Sequence, residues 1–375
     1  MAGLYLHIPF CRKACHYCNF HFSTRLQNKN VVVNALLTEL SQAARNWDLQ
    51  QFETIYYGGG TPSLLSEEEL QRLQAAIAKN YRLSPSPEIT LEANPDDINP
   101  ESLQFWKNAG INRLSIGVQS FREEDLHWMN RAHTASEALS AVSKARDAGF
   151  EHFNIDLIYG TPGLSHDAWR QNIETALQLG ITHLSAYALT VESKTALDSM
   201  IRRHQAVAPD PEQQAEQFLL LSDRMTEAGW EHYEISNFAV PGHRSRHNSA
   251  YWSGAPYLGI GPGAHSFNGK ERWWNIANNA LYVTGMESGK PVTESELLTT
   301  ENHFNEYLMT SLRQLEGCSL EVIRSRFNHS WSDELTKDAA TFIERGQMEL
   351  LKDRLVLTRE GRLYADGIAA ALFRQ

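Results

Sequence analysis

Segments with the hydrophobic spacing of helices alternate with short apolar segments along the first two thirds of the chain. Apolar residues recur at helical spacing in segments such as 31–45, where Val32, Leu36 and Leu40 fall on one face. Short apolar runs, of the length of buried strands, lie between these segments. Strands that alternate with helices predict right-handed crossovers and a parallel sheet. The predicted strands end near Ile8, Tyr57, Glu92, Gly117, Asp156 and Tyr187, and residues 233–236 are a candidate seventh.

A repeated motif around glycine supports this alternation. Gly110, Gly149, Gly180 and Gly229 each follow Ala or Leu at the end of a helical segment, and each precedes a short apolar strand. Glycine is favoured at helix ends because it adopts the left-handed conformation without strain. Six strand–helix units, rather than the eight of a complete barrel, predict an α/β fold with a partial (β/α)6 TIM-like barrel.

The last third of the chain has a different pattern. Residues 241–274 are rich in Gly, Pro, His and aromatic residues with little periodicity, which favours a functional linker. Helical patterns follow, and residues 348–358 are expected to form a hairpin, as in a small winged-helix-like domain. We therefore expect a barrel over 1–240, a linker over 241–292 and a mostly helical accessory domain over 293–375.

Composition excludes several classes of function. A net charge of −11 over 375 residues argues against a nucleic-acid-binding surface, which would be basic. No apolar run approaches the roughly 20 residues that span a bilayer, and the first residues do not resemble a secretory signal. Three of the four cysteines cluster, and Cys318 is expected in a core. These features together favour a reducing compartment, the cytoplasm.

The three clustered cysteines are the strongest chemical signal. Cys11, Cys15 and Cys18 follow the first predicted strand with the spacing C-x3-C-x2-C. Thiolates suit iron–sulfur clusters and zinc. In a cubane of four irons, three cysteines leave one iron open to another ligand. The alternatives are a zinc site completed by His16 or His21, or an accidental cluster of thiols.

This motif, directly after a short apolar strand, resembles that of radical S-adenosylmethionine enzymes. The resemblance implies a 4Fe–4S cluster held by Cys11, Cys15 and Cys18. In that superfamily the open iron chelates the amino and carboxylate groups of S-adenosylmethionine, and an electron from the cluster cleaves the sulfonium. An electron donor such as flavodoxin or ferredoxin is an expected partner.

Polar residues at the predicted strand ends are candidates to bind this cofactor, because barrel chemistry lies at the C-terminal ends of strands. A glycine-rich loop lets backbone groups approach a ligand, carboxylates could hold ribose hydroxyls, and an arginine could pair with a carboxylate. The alternatives are a simple turn, helix caps for the carboxylates and a surface salt bridge for the arginine. The candidates are Gly58, Gly59, Gly60, Thr61, Glu92, Gln119, Arg131 and Asp156.

Longer motifs narrow the resemblance. Tyr-x-His-Ile-Pro-Phe-Cys, Gly-Gly-Gly-Thr-Pro-Ser, Glu-Ala-Asn-Pro, Gly-Val-Gln-Ser-Phe and Asp-Leu-Ile-Tyr-Gly-Thr-Pro look like the oxygen-independent coproporphyrinogen III oxidase group. They cover residues 4–165. In that group, the residues that contact S-adenosylmethionine match Tyr5, Tyr17, Gly59, Glu92, Gln119, Arg131 and Asp156.

Three departures point to the heme-chaperone (HemW-type) branch of that group. Phe20 stands where the oxidase has a fourth cysteine, and the N-terminal extension of the oxidase is cut to a few residues. The chain also carries H-N-x-x-Y-W at His247, Tyr251 and Trp252, a motif associated with heme binding in that branch. Heme iron takes an axial histidine and its macrocycle packs on aromatic rings.

His265, Trp273 and Trp274 could extend such a pocket. The alternative interpretation is that His247 hydrogen-bonds a loop and the aromatic residues belong to the core. From the resemblance we expect a heme-trafficking protein that binds the cluster, S-adenosylmethionine and heme, and transfers heme to acceptor proteins.

Whether such a protein is also an enzyme stays open at this point. The alternative is a coproporphyrinogen oxidase that decarboxylates two propionates by radical chemistry. A third interpretation is a degenerate barrel that keeps the cluster for structure.

Overall fold

The computed structural model describes residues 2–45, 47 and 51–374. Its central element is a run of six parallel strands, in which each strand pairs with the next along the chain. This arrangement confirms the predicted α/β fold, and each strand ends within three residues of its expected position. The strands are β1 (Ala2–Ile8), β2 (Phe52–Gly59), β3 (Leu83–Ala93), β4 (Arg113–Gln119), β5 (His152–Tyr159) and β6 (His183–Ala188).

Further strands extend the sheet at both edges. At one edge, a hairpin of β7 (Glu231–Glu234) and β8 (Asn237–Ala239) pairs antiparallel with β6, so the candidate seventh strand does not continue the parallel series. At the other edge, β9 (Tyr257–Ile260) pairs parallel with β1. Antiparallel pairing then continues from β9 through β10 (His265–Phe267) and β11 (Glu271–Asn275) to β12 (Thr293–Leu297).

Helices connect the strands and cover the sheet. Ser66 and Asn99 begin two of them as capping boxes, each accepting a hydrogen bond from the third backbone N–H of its helix. Gly110, Gly149 and Gly180 end others with positive φ. The helices are α1 (Lys29–Ala43), α2 (Glu67–Asn80), α3 (Pro100–Asn108), α4 (Glu123–Trp128), α5 (Ala135–Asp147), α6 (His166–Gln178), α7 (Ala196–Arg202), α8 (Pro211–Glu227), α9 (Arg246–Trp252) and α10 (Asn279–Glu287).

The segment expected to be a linker is not an irregular connection. Residues 241–292 contain α9, β9, β10, β11 and α10, and the strands belong to the barrel sheet. Strands of three to five residues, separated by glycines such as Gly261 and Gly263, are too short to give a periodic signal. The boundaries 241–292 of this segment remain a prediction.

The C-terminal region builds a second hydrophobic core around Phe304, Leu308, Cys318 and Leu355. Three short strands pair in the order β13-β15-β14. A helix, a strand, three helices and a hairpin follow one another, as in a winged helix. The elements are α11 (Thr300–Leu312), β13 (Cys318–Ser319), α12 (Leu320–Arg326), α13 (His329–Asp338), α14 (Ala340–Glu344), β14 (Met348–Leu351), β15 (Arg354–Leu357) and α15 (Ala365–Ala371).

Alternate residues of the parallel strands have opposite environments. Leu4, Leu6 and Ile8 of β1 belong to the apolar core beneath the helices. Tyr5 and His7, between them, hydrogen-bond each other on the other face, at 3.1 Å. Because side chains alternate along a strand, this second face is the barrel interior, and it is lined with polar groups.

None of the helices in the described ranges is both long enough and apolar enough to cross a membrane.

A buried carboxylate joins the first helix to the segment after the barrel. Glu39 of α1 accepts hydrogen bonds from the Tyr282 hydroxyl at 2.5 Å, from Asn275 Nδ2 at 2.6 Å and from the Gly261 N–H at 2.8 Å. Burial raises the pKa of Glu39 to about 7, although the three donors oppose the rise. Folding therefore favours the protonated carboxyl at this position.

This raised pKa predicts a pH-dependent contribution to stability. The contribution of Glu39 is greatest below its unfolded pKa and is lost as the pH rises towards its folded pKa of about 7. Relative to Glu39→Gln, which does not titrate, the wild type should lose roughly 3 kcal/mol of unfolding free energy over that range. Urea unfolding at several pH values measures this difference. A difference between the wild type and Glu39→Gln that stays constant over this pH range would contradict the assignment.

Candidate functional site

The three clustered cysteines lie in the loop after β1, at the C-terminal ends of the parallel strands. All three are partly exposed free thiols. Thr61, in the loop after β2, donates to Cys11 Sγ at 3.4 Å. Arg131, beyond β4, donates to Cys15 Sγ at 3.2 Å. The cysteine loop thus spans the mouth of the barrel.

The thiols influence one another electrostatically. Burial raises the pKa of Cys11 to about 11, and the neighbouring Cys18 and Cys15 raise it further. The pKa of Cys18 is raised as well, again chiefly by burial. Three thiolates at this mouth therefore need positive charge, and binding of a metal group would release their protons.

The donor set fits an iron–sulfur cubane better than a single ion. Within the residues that the structure describes, no three His, Cys, Asp or Glu side chains converge closely enough to hold one metal ion. In a cubane each thiolate binds a different iron, so its ligands stand apart. Neither His16 nor His21 therefore converges with the cysteines into a zinc site among the described residues, and one ring nitrogen of each is hydrogen-bonded, to Trp128 O and to Asn279 Oδ1. Soft thiolates around one corner of a barrel suit the cluster.

The glycine-rich loop of residues 58–60, which includes the last two residues of β2, packs closely against the barrel. Gly59 has φ of +113°, and a Cβ there would lie 2.6 Å from the His7 ring. At Gly60 a Cβ would lie 2.6 Å from the backbone oxygen of Phe10, and at Gly58 it would lie 2.8 Å from the Tyr5 ring. Only glycine allows this approach, which leaves the loop backbone available to a ligand.

Glu92 stands at the centre of the barrel mouth. The Tyr56 hydroxyl donates to its Oε1 at 2.9 Å, and the Gly59 N–H donates to its Oε2 at 3.1 Å. Burial raises the pKa of Glu92 to about 7, and the nearby Asp156 adds to the rise. The carboxylate connects the glycine-rich loop to the barrel wall.

Asp156 and Arg131 complete the rim of polar groups. Asp156 accepts from Asn154 Nδ2 at 3.0 Å, and burial raises its pKa to about 6. Arg131 Nη2 donates to Asn94 Oδ1 at 2.7 Å and to the Gly117 carbonyl at 2.9 Å. Its Nε is buried without a partner among the described residues. Two carboxylates and a buried guanidinium suit a zwitterionic ligand that also carries ribose hydroxyls.

The other sequence-predicted residues surround this rim. Gln119 ends β4 with a positive φ of 68°, an uncommon conformation for a residue with a side chain. Tyr17 lies beside Arg131 and Cys15 in the cysteine loop. Tyr5 stacks on Tyr56 with ring centroids 6.1 Å apart. The structure therefore brings together the predicted cluster ligands and the predicted S-adenosylmethionine contacts.

Sequence reasoning missed three residues of this site. His7 supports Gly59, Tyr56 binds Glu92, and Asn94 binds Arg131. His7 and Tyr56 are interior positions of strands, and strict alternation from Tyr5 and Thr54 would have found them. Nothing in the sequence pattern identifies Asn94 as an arginine partner.

The H-N-x-x-Y-W motif lies on α9, at the opposite end of the barrel. His247 is 4% exposed and its Nδ1 shares a 2.8 Å hydrogen bond with Thr54 Oγ1. Its ring stacks on Tyr56 at 4.9 Å. Its Nε2 is buried without a partner among the described residues. The His247 side chain therefore fills the barrel interior next to Tyr56, the tyrosine that donates to Glu92.

Tyr251 and Trp252 of the same motif face away from the barrel interior. They line a cleft of about 790 Å³ between strands β9–β12, helix α9 and the C-terminal elements α11, α12 and β15. His247 is not among the residues that line this cleft. Tyr251 stacks on Tyr257 at 4.4 Å, and its ring is 5.7 Å from that of His247. The cleft has the size of a small-molecule site.

Two family models match the chain. The model of the radical SAM superfamily matches residues 5–176. The model of the HemN C-terminal domain matches residues 298–364. The first match contains the cysteine loop, the glycine-rich loop, Glu92, Arg131 and Asp156.

Curated relatives match over nearly the whole chain. The chain is 38% identical to the protein named heme chaperone HemW of Mycobacterium tuberculosis, over 99% of this chain and 94% of that protein. It is 35% identical to heme chaperone HemW of Bacillus subtilis, over 99% of each. Among solved structures, it resembles coproporphyrinogen III oxidase (HemN) from Escherichia coli, a radical SAM enzyme, with a TM-score of 0.86. That match covers 99% of this chain and 90% of the other at 23% identity, and so shows the fold alone.

The cysteine assignment makes a direct prediction. Replacing Cys11, Cys15 or Cys18 with serine should abolish iron and sulfide binding in anaerobically reconstituted protein, since each thiolate is one ligand of the cluster. Iron and sulfide analysis and the visible absorption spectrum measure this. Cys318→Ser, in the C-terminal core, should keep the cluster. Full iron and sulfide content in Cys11→Ser would contradict the assignment.

The glycine-rich loop makes a second prediction. In Gly59→Ala the added Cβ would overlap the His7 ring, so the glycine-rich segment must move, and S-adenosylmethionine affinity should fall about tenfold, roughly 1.4 kcal/mol. Gly163→Ala is the matched control, because Gly163 also has positive φ but a Cβ there meets nothing within 4 Å. The control should lose stability and keep its affinity in anaerobic calorimetry. Equal affinities for both variants would exclude a role of the loop in binding.

Proposed function

The chain belongs to the heme chaperone HemW family of the radical SAM superfamily, and on that premise we propose that it binds heme and transfers it to acceptor proteins. Membership of the superfamily implies a 4Fe–4S cluster and S-adenosylmethionine. The observation that carries the proposal is the aromatic cleft beside α9, joined to full-length similarity with proteins named heme chaperones.

In this proposal the two ends of the barrel have separate tasks. Cys11, Cys15 and Cys18 hold the cluster, which when bound supplies one-electron reduction. Glu92, Asp156, Arg131 and the glycine-rich loop orient S-adenosylmethionine. The remaining candidates, Tyr5, Tyr17, Thr61 and Gln119, complete the wall around that cofactor.

Heme binding is assigned to the region of Tyr251 and Trp252. Both side chains line the cleft, and their rings offer flat apolar surface to a macrocycle. An electron donor such as flavodoxin or ferredoxin would approach the cysteine loop, where Phe20 is 67% exposed. We assign the protein to the cytoplasm, where a reducing environment keeps the three thiols free.

The similarity to coproporphyrinogen III oxidase gives no independent support for an oxidase activity, because at 23% identity it concerns the fold alone. Phe20 also replaces the fourth cysteine of the oxidase motif. Decarboxylation of coproporphyrinogen is therefore the alternative outcome of the test rather than a second proposal.

Anaerobically reconstituted full-length protein tests the function directly. It should bind heme at near-stoichiometric level in an absorbance titration, and should transfer it to apomyoglobin as a probe acceptor. Incubation with coproporphyrinogen III, S-adenosylmethionine and a chemical reductant should give no protoporphyrinogen. Absence of heme binding, or formation of protoporphyrinogen, would overturn the proposal.

A further inference from the structure

One wall of the cleft is lined with aromatic side chains. In the antiparallel register, Phe267 lies opposite Tyr257, and Trp274 lies opposite His265. Residues in register on neighbouring strands share a face, and all four side chains line the cleft. Tyr251 extends this surface by stacking on Tyr257. The wall therefore offers aromatic contacts to an apolar macrocycle.

The charged residues of the cleft leave two guanidinium groups without acidic partners. The carboxylates of the lining pair with two arginines, since Arg272 binds Glu296 and Glu306, and Arg244 binds Glu316. Arg326 and Arg354 form no salt bridge with any described residue. Arg326 packs over the Tyr307 ring at 5.9 Å, and Arg354 donates to the carbonyls of Glu316 and Gly317.

The two unpaired arginines lie at the same end of the cleft. Tyr307, beneath Arg326, accepts a hydrogen bond from the Ser319 N–H at 3.0 Å. Ser319 is in turn the register partner of Arg354 in the pairing of β13 with β15. Two cations at one end of an aromatic cleft are complementary to two carboxylates carried on one edge of a planar ring system.

His265 offers an imidazole on the aromatic wall. Its ring stacks on Trp274 with centroids 5.5 Å apart and an interplanar angle of 22°. It forms no side-chain hydrogen bond within the described part of the chain, so both ring nitrogens are available. Burial lowers the pKa of His265, which keeps the ring in the neutral form that binds metals.

Two other histidines are less suitable as iron ligands. His247 is enclosed in the barrel interior, with one ring nitrogen engaged by Thr54, and does not line the cleft. His303 lies on the opposite wall, in the first turn of α11, and meets only the edge of the surface at Phe267, 6.4 Å away. Of the three, His265 lies on the aromatic strands of the wall, beside Trp274.

Resting on the proposed function, we propose that heme occupies this cleft with His265 as its axial ligand and with Arg326 and Arg354 bound to its propionates. Tyr251 and Trp252 of the H-N-x-x-Y-W motif form part of the wall. His247 then acts as a positioning residue, which fixes α9 to the barrel through Thr54 and Tyr56. This assignment differs from the sequence-based hypothesis, in which His247 is the ligand.

Histidine variants test the ligand. With cluster-loaded full-length protein, His265→Ala should weaken heme binding at least about tenfold, because even outer partners of metal ligands contribute 10–100-fold. His265→Met should bind heme with a shifted Soret band and altered electron paramagnetic resonance, since methionine is also an axial ligand. His166→Ala, at the surface on α6, is the matched control and should bind as the wild type does.

Arginine variants test the orientation of the macrocycle. Arg326→Gln combined with Arg354→Gln should weaken heme binding about tenfold, because charge-assisted hydrogen bonds are lost. The same double variant should not change affinity for iron protoporphyrin dimethyl ester, which lacks the carboxylates. Arg170→Gln combined with Arg202→Gln, both in exposed helical ion pairs, is the control.

The outcomes separate this inference from the function on which it rests. If the wild type binds no heme, the proposed function itself fails. If the wild type binds heme and its ligand signature is lost in His247→Ala or His303→Ala but kept in His265→Ala, only the ligand assignment is overturned. An equal loss of heme and of its dimethyl ester in the double arginine variant would overturn the propionate contacts.

Discussion

The hydrogen bonds accepted by the half-buried Glu92 carboxylate connect the main parts of this structure. A carboxylate removed from water is tolerated only where donors replace its hydration, and here the Tyr56 hydroxyl and the Gly59 N–H do so. Both donors belong to β2, the Tyr56 hydroxyl within the strand and the Gly59 N–H at its last residue. The parallel register, which sets Tyr5 beside Tyr56 and Tyr56 beside Thr90, carries all of them into one interior. Glu92 therefore couples the shape of the glycine-rich loop to the pairing of the first three strands.

Helix α9 lies where the barrel interior meets the cleft. Glu88 of β3 accepts hydrogen bonds from the backbone N–H groups of Arg246 and His247, and so fixes the first turn of the helix. On one side of this helix, the His247 ring stacks on Tyr56, the tyrosine that donates to Glu92. On the other side, Trp252 faces the C-terminal domain, with the Arg313 guanidinium over its ring. The two candidate ligand sites thus share one short helix. Its position depends on burial and hydrogen bonding rather than on the helical propensity of seven residues.

The places where sequence patterns succeeded and failed have physical causes. Long amphipathic segments such as α2 were predictable because capping at Ser66 and the spacing of Leu70, Leu73 and Ile77 agree. Short strands such as β9 and β10 were not, because three or four residues carry too little periodicity, and their pairing partners are distant in sequence. For the same reason the hairpin of β7 and β8 could not be distinguished from another parallel strand. At the barrel mouth, the C-x3-C-x2-C spacing and the residues at strand ends were readable, whereas the role of Asn94 required the position of Arg131 in space.

The sequence by itself determined the alternation of strands and helices, the clustering of the three thiols and the residues that follow each strand, since all of these are local properties of the chain. Only the tertiary structure decided which way each side of α9 faces, and that separation puts His247 in the barrel and Tyr251 in the cleft. It also decided which arginines of the cleft lack carboxylate partners, because the pairs of Arg244 and Arg272 join segments far apart in sequence. Local sequence patterns show which residues are periodically buried. Which distant residues pair with one another depends on long-range packing, and a local pattern carries no information about it.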